Sequence, residues 1–244
     1  MDFETCLDLE ANSNRTDSYH LSISDMARGF NVDSSWLDFL ESNKVRLSQI
    51  LSIVETDPHC LPSIDKIFKP FEMLSVDKVR VVIIGQNPYN AKPNMANGIA
   101  FSVDSGTSAT LNTINKELVR SYGTPLRDYT LKHWMDQGVL LLNATFTINL
   151  KDTECDFNHA DLWTFFTENL VYWISRHTTH NVFLLWGTMA SRYTRVLKGS
   201  DVTVIKSPFP LERASQQESF VGSDTFVKCN KALIKLGKLP IEWV

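Results

Sequence analysis

Four polar side chains stand together just after a short apolar run, where a folded chain could use them for chemistry. They are Gln86, Asn87, Tyr89 and Asn90. The run before them, 79–84, is rich in β-branched residues and is stopped by Gly85 and Pro88, which predicts a buried parallel strand that ends in a rigid loop. In open α/β sheets ligands bind beyond the carboxyl ends of the strands, so these groups are placed for binding or catalysis. An ordinary strand-to-loop turn is the alternative, and this pattern alone does not decide between the two.

The loop Gly-Gln-Asn-Pro-Tyr-Asn at 85–90 resembles the water-activating loop Gly-Gln-Asp-Pro-Tyr-His of the uracil-DNA glycosylases. The segment Ala-Asn-Gly-Ile-Ala-Phe-Ser-Val at 96–103 resembles the segment that follows this loop in the family. Two loop residues differ, because Asn87 stands at the family's catalytic Asp and Asn90 at its water-binding His. The resemblance therefore implies the family's scaffold with altered chemistry, in which Pro88 and Asn90 position the water.

The resemblance also implies a pocket for a uracil that has been flipped out of DNA. A second predicted strand, 139–144, places Asn143 at the family's uracil-reading Asn. Its amide offers an acceptor and two donors in one plane, so it can pair with N3–H and O4 of uracil and reject cytosine. Gln86 is implied to bind the base as well, Phe101 to stack on it and Tyr89 to exclude the methyl group of thymine. A buried Asn that only satisfies backbone groups is the alternative for Asn143.

A further set of residues is implied to contact DNA. The segment Ser-Pro-Phe-Pro-Leu-Glu at 207–212 resembles the family's His-Pro-Ser-Pro-Leu-Ser loop, whose Leu enters the base stack as the base leaves. Ser207 stands at the second catalytic position, that of the His, and Leu211 is kept as the wedge. The loop then runs on further than in cellular members, similar to that of herpesvirus-type members. The residues implied to contact DNA are Thr110, Gly187, Thr188, Pro208, Phe209, Pro210, Leu211 and Arg213.

The two altered catalytic positions determine the predicted activity. Uracil excision passes through a cationic sugar and an anionic base, so it needs negative charge near the sugar and a donor near the uracil oxygen. Asn87 and Ser207 lack the family's charged and imidazole groups, and each such loss costs about 10²- to 10³-fold in rate, roughly 3–4 kcal/mol. The sequence predicts an attenuated hydrolase of the N-glycosidic bond of uracil in DNA, acting in base excision repair. The alternative is a DNA-binding or replication-accessory scaffold of viral type that is catalytically weak.

Lys206 is a conceivable substitute for the missing donor, because it precedes Ser207 in the chain. Its ammonium could reach toward the uracil oxygen. Strand-end lysines usually point to solvent, however, which argues against this role.

Short apolar strands with helices between them must position these residues. The fold class predicted is α/β, with a central four-stranded parallel twisted sheet flanked by helices. The strands are predicted at 79–84, 139–144, 181–187 and 202–205. Helices are predicted from about Trp36 onward with Asp33 or Ser34 as the cap, at 110–121 with a Thr cap, at 163–174 and at 189–197. Residues 1–35 are predicted to be a polar, flexible arm, and 36–244 a single domain.

Composition limits the classes of protein further. No apolar run reaches the roughly 20 residues of a spanning helix, and the acidic N-terminus is unlike a secretory leader, so no membrane association is expected. The scattered cysteines, Cys6, Cys60, Cys155 and Cys229, show no metal-ligand spacing. Reduced thiols, with no metal and no cofactor, are therefore expected.

The net charge of −4 is unevenly distributed. Residues 181–244 carry nine Lys or Arg against five Asp or Glu, which suits a basic face toward phosphate, although a mixed solvated surface is the commoner explanation of such a split. The resemblance implies a monomer that binds uracil-containing DNA, single- or double-stranded. Inhibitor proteins that mimic DNA and viral replication proteins are further expected partners, and the expected location is the nucleus, that of the host if the protein is viral.

Overall fold

The computed structural model describes residues 29–90, 95–150, 158–211 and 219–244. The strands in these ranges are β1 (Cys60–Leu61), β2 (Val81–Gly85), β3 (Val139–Asn143), β4 (Ile148–Asn149), β5 (Asn181–Trp186) and β6 (Val202–Ser207). The α-helices are α1 (Leu37–Ser42), α2 (Lys44–Thr56), α3 (Lys69–Met73), α4 (Ala109–Tyr122), α5 (Lys132–Met135), α6 (His159–His177), α7 (Gly187–Ser191) and α8 (Thr225–Lys235). Most of the predicted arm, 1–35, lies outside the described residues.

A four-stranded sheet with the order β3-β2-β5-β6 forms the centre of the fold. All three strand pairs are parallel, which confirms the predicted sheet. Every residue of β2, β3 and β5 is buried, as expected for parallel strands that are covered on both faces. The register pairs Gly85 with Asn143 and Trp186 with Ser207 at the carboxyl ends. The predicted site residues at the ends of these strands therefore lie at one edge of the sheet.

A second, two-stranded sheet was not predicted. In it β1 pairs antiparallel with β4, with Cys60 opposite Asn149 and Leu61 opposite Ile148. Strands of two residues show no periodicity that a sequence pattern could reveal. The pair joins the segment before β2 to the segment that leads into α6.

Two predicted helix boundaries were wrong, and one was confirmed. The cap of α4 is Ser108, whose side chain accepts a hydrogen bond from Leu111 N, whereas the predicted Thr cap, Thr110, lies within the helix. The predicted helix 189–197 is only one α-helical turn, α7, followed by a 3₁₀ turn at Arg192–Arg195. Asp33 caps a 3₁₀ turn at Ser34–Trp36 through its side chain, as predicted.

One apolar core runs through the described part of the chain, from Trp36 to Trp243. Aromatic rings make up much of it, and the ring of Phe146 stacks on that of Trp163 with their centroids 4.9 Å apart. Such ring pairs stabilise a core beyond the apolar area that they bury. Among the described residues, no helix is both long and apolar enough to cross a membrane.

Candidate active site

The carboxyl ends of β2 and β3 bring an aromatic ring and an amide together. A Cβ atom placed on Gly85 would lie 2.9 Å from Phe101 Cζ and 3.1 Å from Asn143 Oδ1. The first distance is shorter than Cβ contacts in proteins and the second is unusually tight, so a side chain at this position would displace the ring or the amide from the strand end. Phe101 and Asn143, which the sequence assigned to base binding, are thus neighbours in the structure.

A cavity of about 250 Å³ opens at this strand edge. Ligand pockets for drug-sized molecules measure about 300–1,000 Å³, so this cavity suits a smaller planar ring. It is lined by Gln86, Asn87, Pro88, Tyr89, Asn90, Ala96, Asn97, Gly98, Ile99, Phe101, Thr110, Asn143 and Phe209. The structure therefore gathers all four residues predicted to bind uracil and both residues predicted to position water.

Phe101 is held in an uncommon backbone conformation, with φ of +66°. A bulky residue at positive φ is rare outside functional sites and needs support from its surroundings. Its ring packs 5.0 Å from that of Trp186 and 6.2 Å from that of Phe209. Its carbonyl oxygen accepts a hydrogen bond of 2.8 Å from the Tyr89 hydroxyl. These contacts fix the ring at the cavity wall, where a base could stack on it.

The Tyr89 hydroxyl belongs to a buried cluster of hydroxyl groups. It lies 2.8 Å from Ser108 Oγ and 2.7 Å from Thr110 Oγ1, and those two oxygens are 2.9 Å apart. Since the Tyr89 O–H donates to the carbonyl of Phe101, its oxygen accepts from these neighbours. Burial raises the pKa of Tyr89. The cluster ties the loop after β2 to the start of α4 and holds the Tyr89 ring in the cavity wall.

Asn87 keeps its amide close to its own backbone. Its Nδ2 donates a hydrogen bond of 2.8 Å to the carbonyl of Pro88. The amide oxygen can still accept a hydrogen bond, for example from a water molecule. An amide carries no charge, however, and takes up no proton at neutral pH. Asn87 therefore gives the cavity a neutral hydrogen-bonding group, whereas the loop that 85–90 resembles has a carboxylate, which can take up a proton.

Asn97 is a site residue to which the sequence reasoning gave no role. Its Oδ1 accepts from Ile99 N at 3.1 Å, and its Nδ2 donates to Ser102 Oγ and to Asp104 Oδ1. These bonds shape the cavity floor next to Gly98, where a Cβ would lie 1.9 Å from the carbonyl oxygen of Lys66. The adjacent Asn-Gly pair in the quoted segment was the signal for such a turn.

Ser207 does not line the cavity. It ends β6 opposite Trp186, is buried, and its Oγ has no hydrogen-bond partner in the described part of the chain. Lys206 is exposed, and neighbouring residues on a strand point to opposite faces. Of the two residues predicted to be catalytic, Asn87 lines the cavity and Ser207 is not among its lining residues.

The residues assigned to DNA lie around a second groove and around the start of α7. Leu211 is half-buried and lines a groove of about 680 Å³ with Tyr89, Asn90, Met95 and residues 105–110. Gly187 has φ of +87°, and a Cβ on it would lie 2.9 Å from Phe209 Cβ. Thr188 is exposed, Pro208 and Phe209 are half-buried, and Pro210 is buried. Arg213 lies outside the described residues.

Thr110 differs from the other residues assigned to DNA. Its side chain is buried, and its hydroxyl is within hydrogen-bond distance of those of Tyr89 and Ser108. This hydroxyl therefore supports Tyr89, and a contact with a phosphate would compete with that role.

Comparison with known proteins gives the family. Residues 72–234 match the model of the Uracil DNA glycosylase superfamily. A uracil-DNA glycosylase of Flavobacterium johnsoniae is 35% identical over 220 residues, covering 87% of this chain and 98% of that protein. One of Pseudomonas fluorescens is 37% identical over 183 residues, covering 73% and 77%.

Solved structures agree with these relatives at the level of the fold. The crystal structure of mimivirus uracil-DNA glycosylase superposes with a TM-score of 0.75 at 22% identity, covering 93% of this chain and 95% of that one. A mimivirus variant in complex with UGI gives 0.74 at 23% identity, covering 94% and 97%. Together with the family model and the relatives above 30% identity, they show that this chain belongs to the uracil-DNA glycosylase superfamily.

Proposed function

We propose that this chain is a uracil-DNA glycosylase of reduced activity, which hydrolyses the N-glycosidic bond of a uracil flipped out of DNA. The relatives, named uracil-DNA glycosylase and similar over most of the chain, support the reaction class, hydrolysis of an N-glycosyl bond. The proposed substrate rests on one observation: Phe101 and Asn143 both lie next to Gly85 and line the same small cavity. A ring to stack on and an amide to read the edge of the base are what recognition of a flipped base requires.

The reduced rate follows from the composition of the cavity. Tyr89 is the one ionisable side chain among its lining residues in the described ranges, and its pKa is raised by burial. Position 87 carries no carboxylate to stabilise a cationic sugar, and Ser207 is not among the residues that line the cavity. Rate enhancement then rests on binding, orientation and neutral dipoles, which supply part of the barrier reduction in hydrolases of this kind.

The test is single-turnover excision of uracil from a labelled single-stranded oligonucleotide, with thymine DNA as substrate control. Asn87→Asp is expected to raise the rate by about 10²-fold, because a carboxylate in the cavity wall faces the developing positive charge. Ser207→His alone is expected to change little, since the side chain lies outside the cavity. The double variant is therefore expected to excise uracil at about the rate of Asn87→Asp alone.

Two control variants make this result specific. Asn169→Asp introduces the same charge on α6, where the amide bonds to Asn43, and is expected to leave the rate unchanged. Asn143→Ala is expected to abolish excision by whatever route it occurs, because the base edge is no longer read. Excision that persists at the wild-type rate in Asn143→Ala would contradict the proposed substrate site.

A second candidate function is a DNA-binding or replication-accessory scaffold of viral type. The neutral Asn87 in the cavity wall favours it, since recognition can survive without the charge that the chemistry needs. The two candidates differ in one result: the scaffold predicts no excision by the wild-type chain above background, while Asn87→Asp restores it. A first measurement of the wild-type chain therefore decides between them.

The proposed partners follow from the same site. Uracil-containing DNA, single- or double-stranded, would lie along the groove lined by Leu211, with the chain acting as a monomer. Inhibitor proteins that mimic DNA are further proposed partners, and a mimivirus relative solved in complex with UGI supports this proposal. The proposal of a viral protein with replication partners in a host nucleus rests on the sequence likeness to herpesvirus-type members.

A further inference from the structure

Three side chains of different chemistry come together outside the cavity and outside the groove lined by Leu211. Asp57, Cys60 and His159 each offer one ligand atom, and these atoms all lie within 4.8 Å of one another. The side chains of Asp57 and His159 are 5% and 2% exposed, and Cys60 is half-buried. None of the three lines the cavity or the groove described above. The proposed reaction therefore gives this cluster no task.

Hydrogen bonds to Asp57 Oδ1 and His159 Nδ1 orient the two side chains, so that Oδ2 and Nε2 face each other. Asp57 Oδ1 accepts from His59 N and from Asn149 Nδ2, both at 2.9 Å. That leaves Asp57 Oδ2 facing His159 Nε2 at 3.2 Å. The carboxylate is thus held by two donors, with one oxygen turned into the cluster.

The imidazole of His159 is fixed in the same manner. Its Nδ1 lies 2.9 Å from Thr147 Oγ1, and that oxygen also accepts a hydrogen bond from Trp163 Nε1. Outer partners of this kind orient the histidine and carboxylate ligands of metal sites, where the second ring nitrogen is bonded to a protein oxygen.

We propose that Asp57, Cys60 and His159 form a zinc-binding site. One sulfur, one nitrogen and one oxygen ligand are the set that zinc accepts, whereas magnesium and calcium take oxygen ligands. The separation of 3.2 Å between Oδ2 and Nε2 suits two ligands of one tetrahedral ion with bonds of about 2.0–2.2 Å. Water would complete the set of four ligands that zinc takes.

Zinc binding at this site releases a proton. The Cys60 thiol gives up its proton to solvent, and His159 binds the ion through a neutral Nε2 while Nδ1–H donates to Thr147 Oγ1. Zinc affinity is therefore expected to rise with pH.

The position of the site indicates a structural role. Asp57 precedes β1, Cys60 is the first residue of β1, and His159 is the first residue of α6. The ion would therefore join the segments on either side of the short β1–β4 pair. A ligand that binds only the folded state raises the melting temperature with its concentration. Zinc is therefore expected to stabilise the fold without taking part in excision.

The test uses the full chain, freed of metal with a chelator and titrated with Co²⁺ as a spectroscopic probe. The expected result is a sulfur-to-cobalt charge-transfer band that saturates at one ion per chain and is removed by Zn²⁺. The melting temperature is expected to rise on addition of either ion. Uracil excision, measured in the same samples, is expected to be equal with and without chelator, so failure of this proposal and of the proposed function can be told apart.

Variants assign the ligands. Cys60→Ser is expected to abolish the charge-transfer band while the other three cysteines remain, and Asp57→Asn to weaken Co²⁺ binding at least tenfold. His180→Gln is the matched control, because His180 forms an exposed pair with Asp201 at 2.8 Å, and it is expected to keep the band. Absence of the band in the wild-type chain, or its persistence in Cys60→Ser, would overturn the proposal.

Discussion

Tyr89 is the residue that sets how the cavity responds to pH. Its hydroxyl donates to the carbonyl of Phe101 and is surrounded by those of Ser108 and Thr110. Burial raises its pKa above the ordinary value for tyrosine, which is about 10. The ring therefore stays neutral throughout the neutral range, and no described side chain of the cavity changes its charge there.

The excision rate of the wild-type chain is accordingly expected to be flat between about pH 6 and pH 9, a range that separates the ordinary carboxylate and tyrosine pKa values. In Asn87→Asp the excision rate should fall on the acid side. A carboxylate stabilises the sugar cation only when it is ionised, and this stabilisation is lost as pH falls through the pKa of the carboxylate. The two proteins are compared by their single-turnover rates over this pH range and below it. One oligonucleotide is used at constant ionic strength. A wild-type inflection near pH 7 would reveal a titrating group that the described cavity does not contain.

Side chains at strand ends were the ones that the sequence could locate. Asn143 and the polar loop after β2 follow apolar runs, so their position at the cavity follows from the topology of a parallel sheet. Ser207 also ends a strand, yet it is buried and is not among the residues that line the cavity. The Asp57–His159 contact depends on packing between distant segments, which no local pattern encodes.

At the scale of elements, one buried carboxylate joins α4 to the turn before α8. Glu117 is fully buried in α4, and its oxygens accept from Arg120 Nε at 2.8 Å and from the backbone N–H groups of Gly222 and Asp224. Burial alone would raise the pKa of Glu117, but these hydrogen bonds outweigh it and hold the pKa below its usual value. The charged form is therefore the one that stabilises the fold.

Glu117→Gln is expected to lower the free energy of unfolding by about 2 kcal/mol at pH 7, the range for hydrogen bonds to a charged group. Because the folded pKa is lowered, the wild-type advantage should be complete above about pH 4.5 and shrink as pH falls through the folded value. Urea unfolding of both proteins at several pH values measures this.

Glu41→Gln is the matched control for that experiment. Glu41 pairs with Lys44 on the exposed surface of the helical segment before the sheet, and exposed pairs contribute about 0–1 kcal/mol. An equal loss in the two variants would show that Glu117 acts as an ordinary surface charge.

The elements that the sequence predicted best are those with long periodic patterns. Long apolar patterns span the four parallel strands and the core helices. Their predicted boundaries therefore lie within a few residues of those in the structure. The β1–β4 pair and the single turn of α7 are too short to leave a pattern. The cap of α4 is Ser108, two residues before the predicted Thr110, and its Oγ both accepts from Leu111 N and contacts the Tyr89 hydroxyl, a tertiary contact that no local pattern encodes.

For the whole molecule, the distribution of charge limits how DNA can be held. The net charge is −4, and several basic residues near the carboxyl end are already engaged within the fold. Arg195 pairs with Glu168, Lys228 donates to the carbonyl of Ser223, and Lys238 donates to Asn181 Oδ1. In the described part of the chain, the groove that contains Leu211 is lined by polar and apolar side chains. Few cations are therefore available to replace counterions on the DNA backbone.

DNA affinity is consequently expected to depend only weakly on salt. Each neutralised phosphate contributes about −0.9 to the slope of log K against log salt on duplex DNA, so a slope no steeper than about −4 is expected. Fluorescence anisotropy with a labelled duplex over a range of NaCl concentrations gives this slope. Lys206→Ala should reduce its magnitude by about one unit, because Lys206 is exposed at the strand edge that bears the site. Lys44→Ala, on the distant α2 surface, should leave it unchanged, and a wild-type slope much steeper than −4 would place further phosphate contacts outside the described residues.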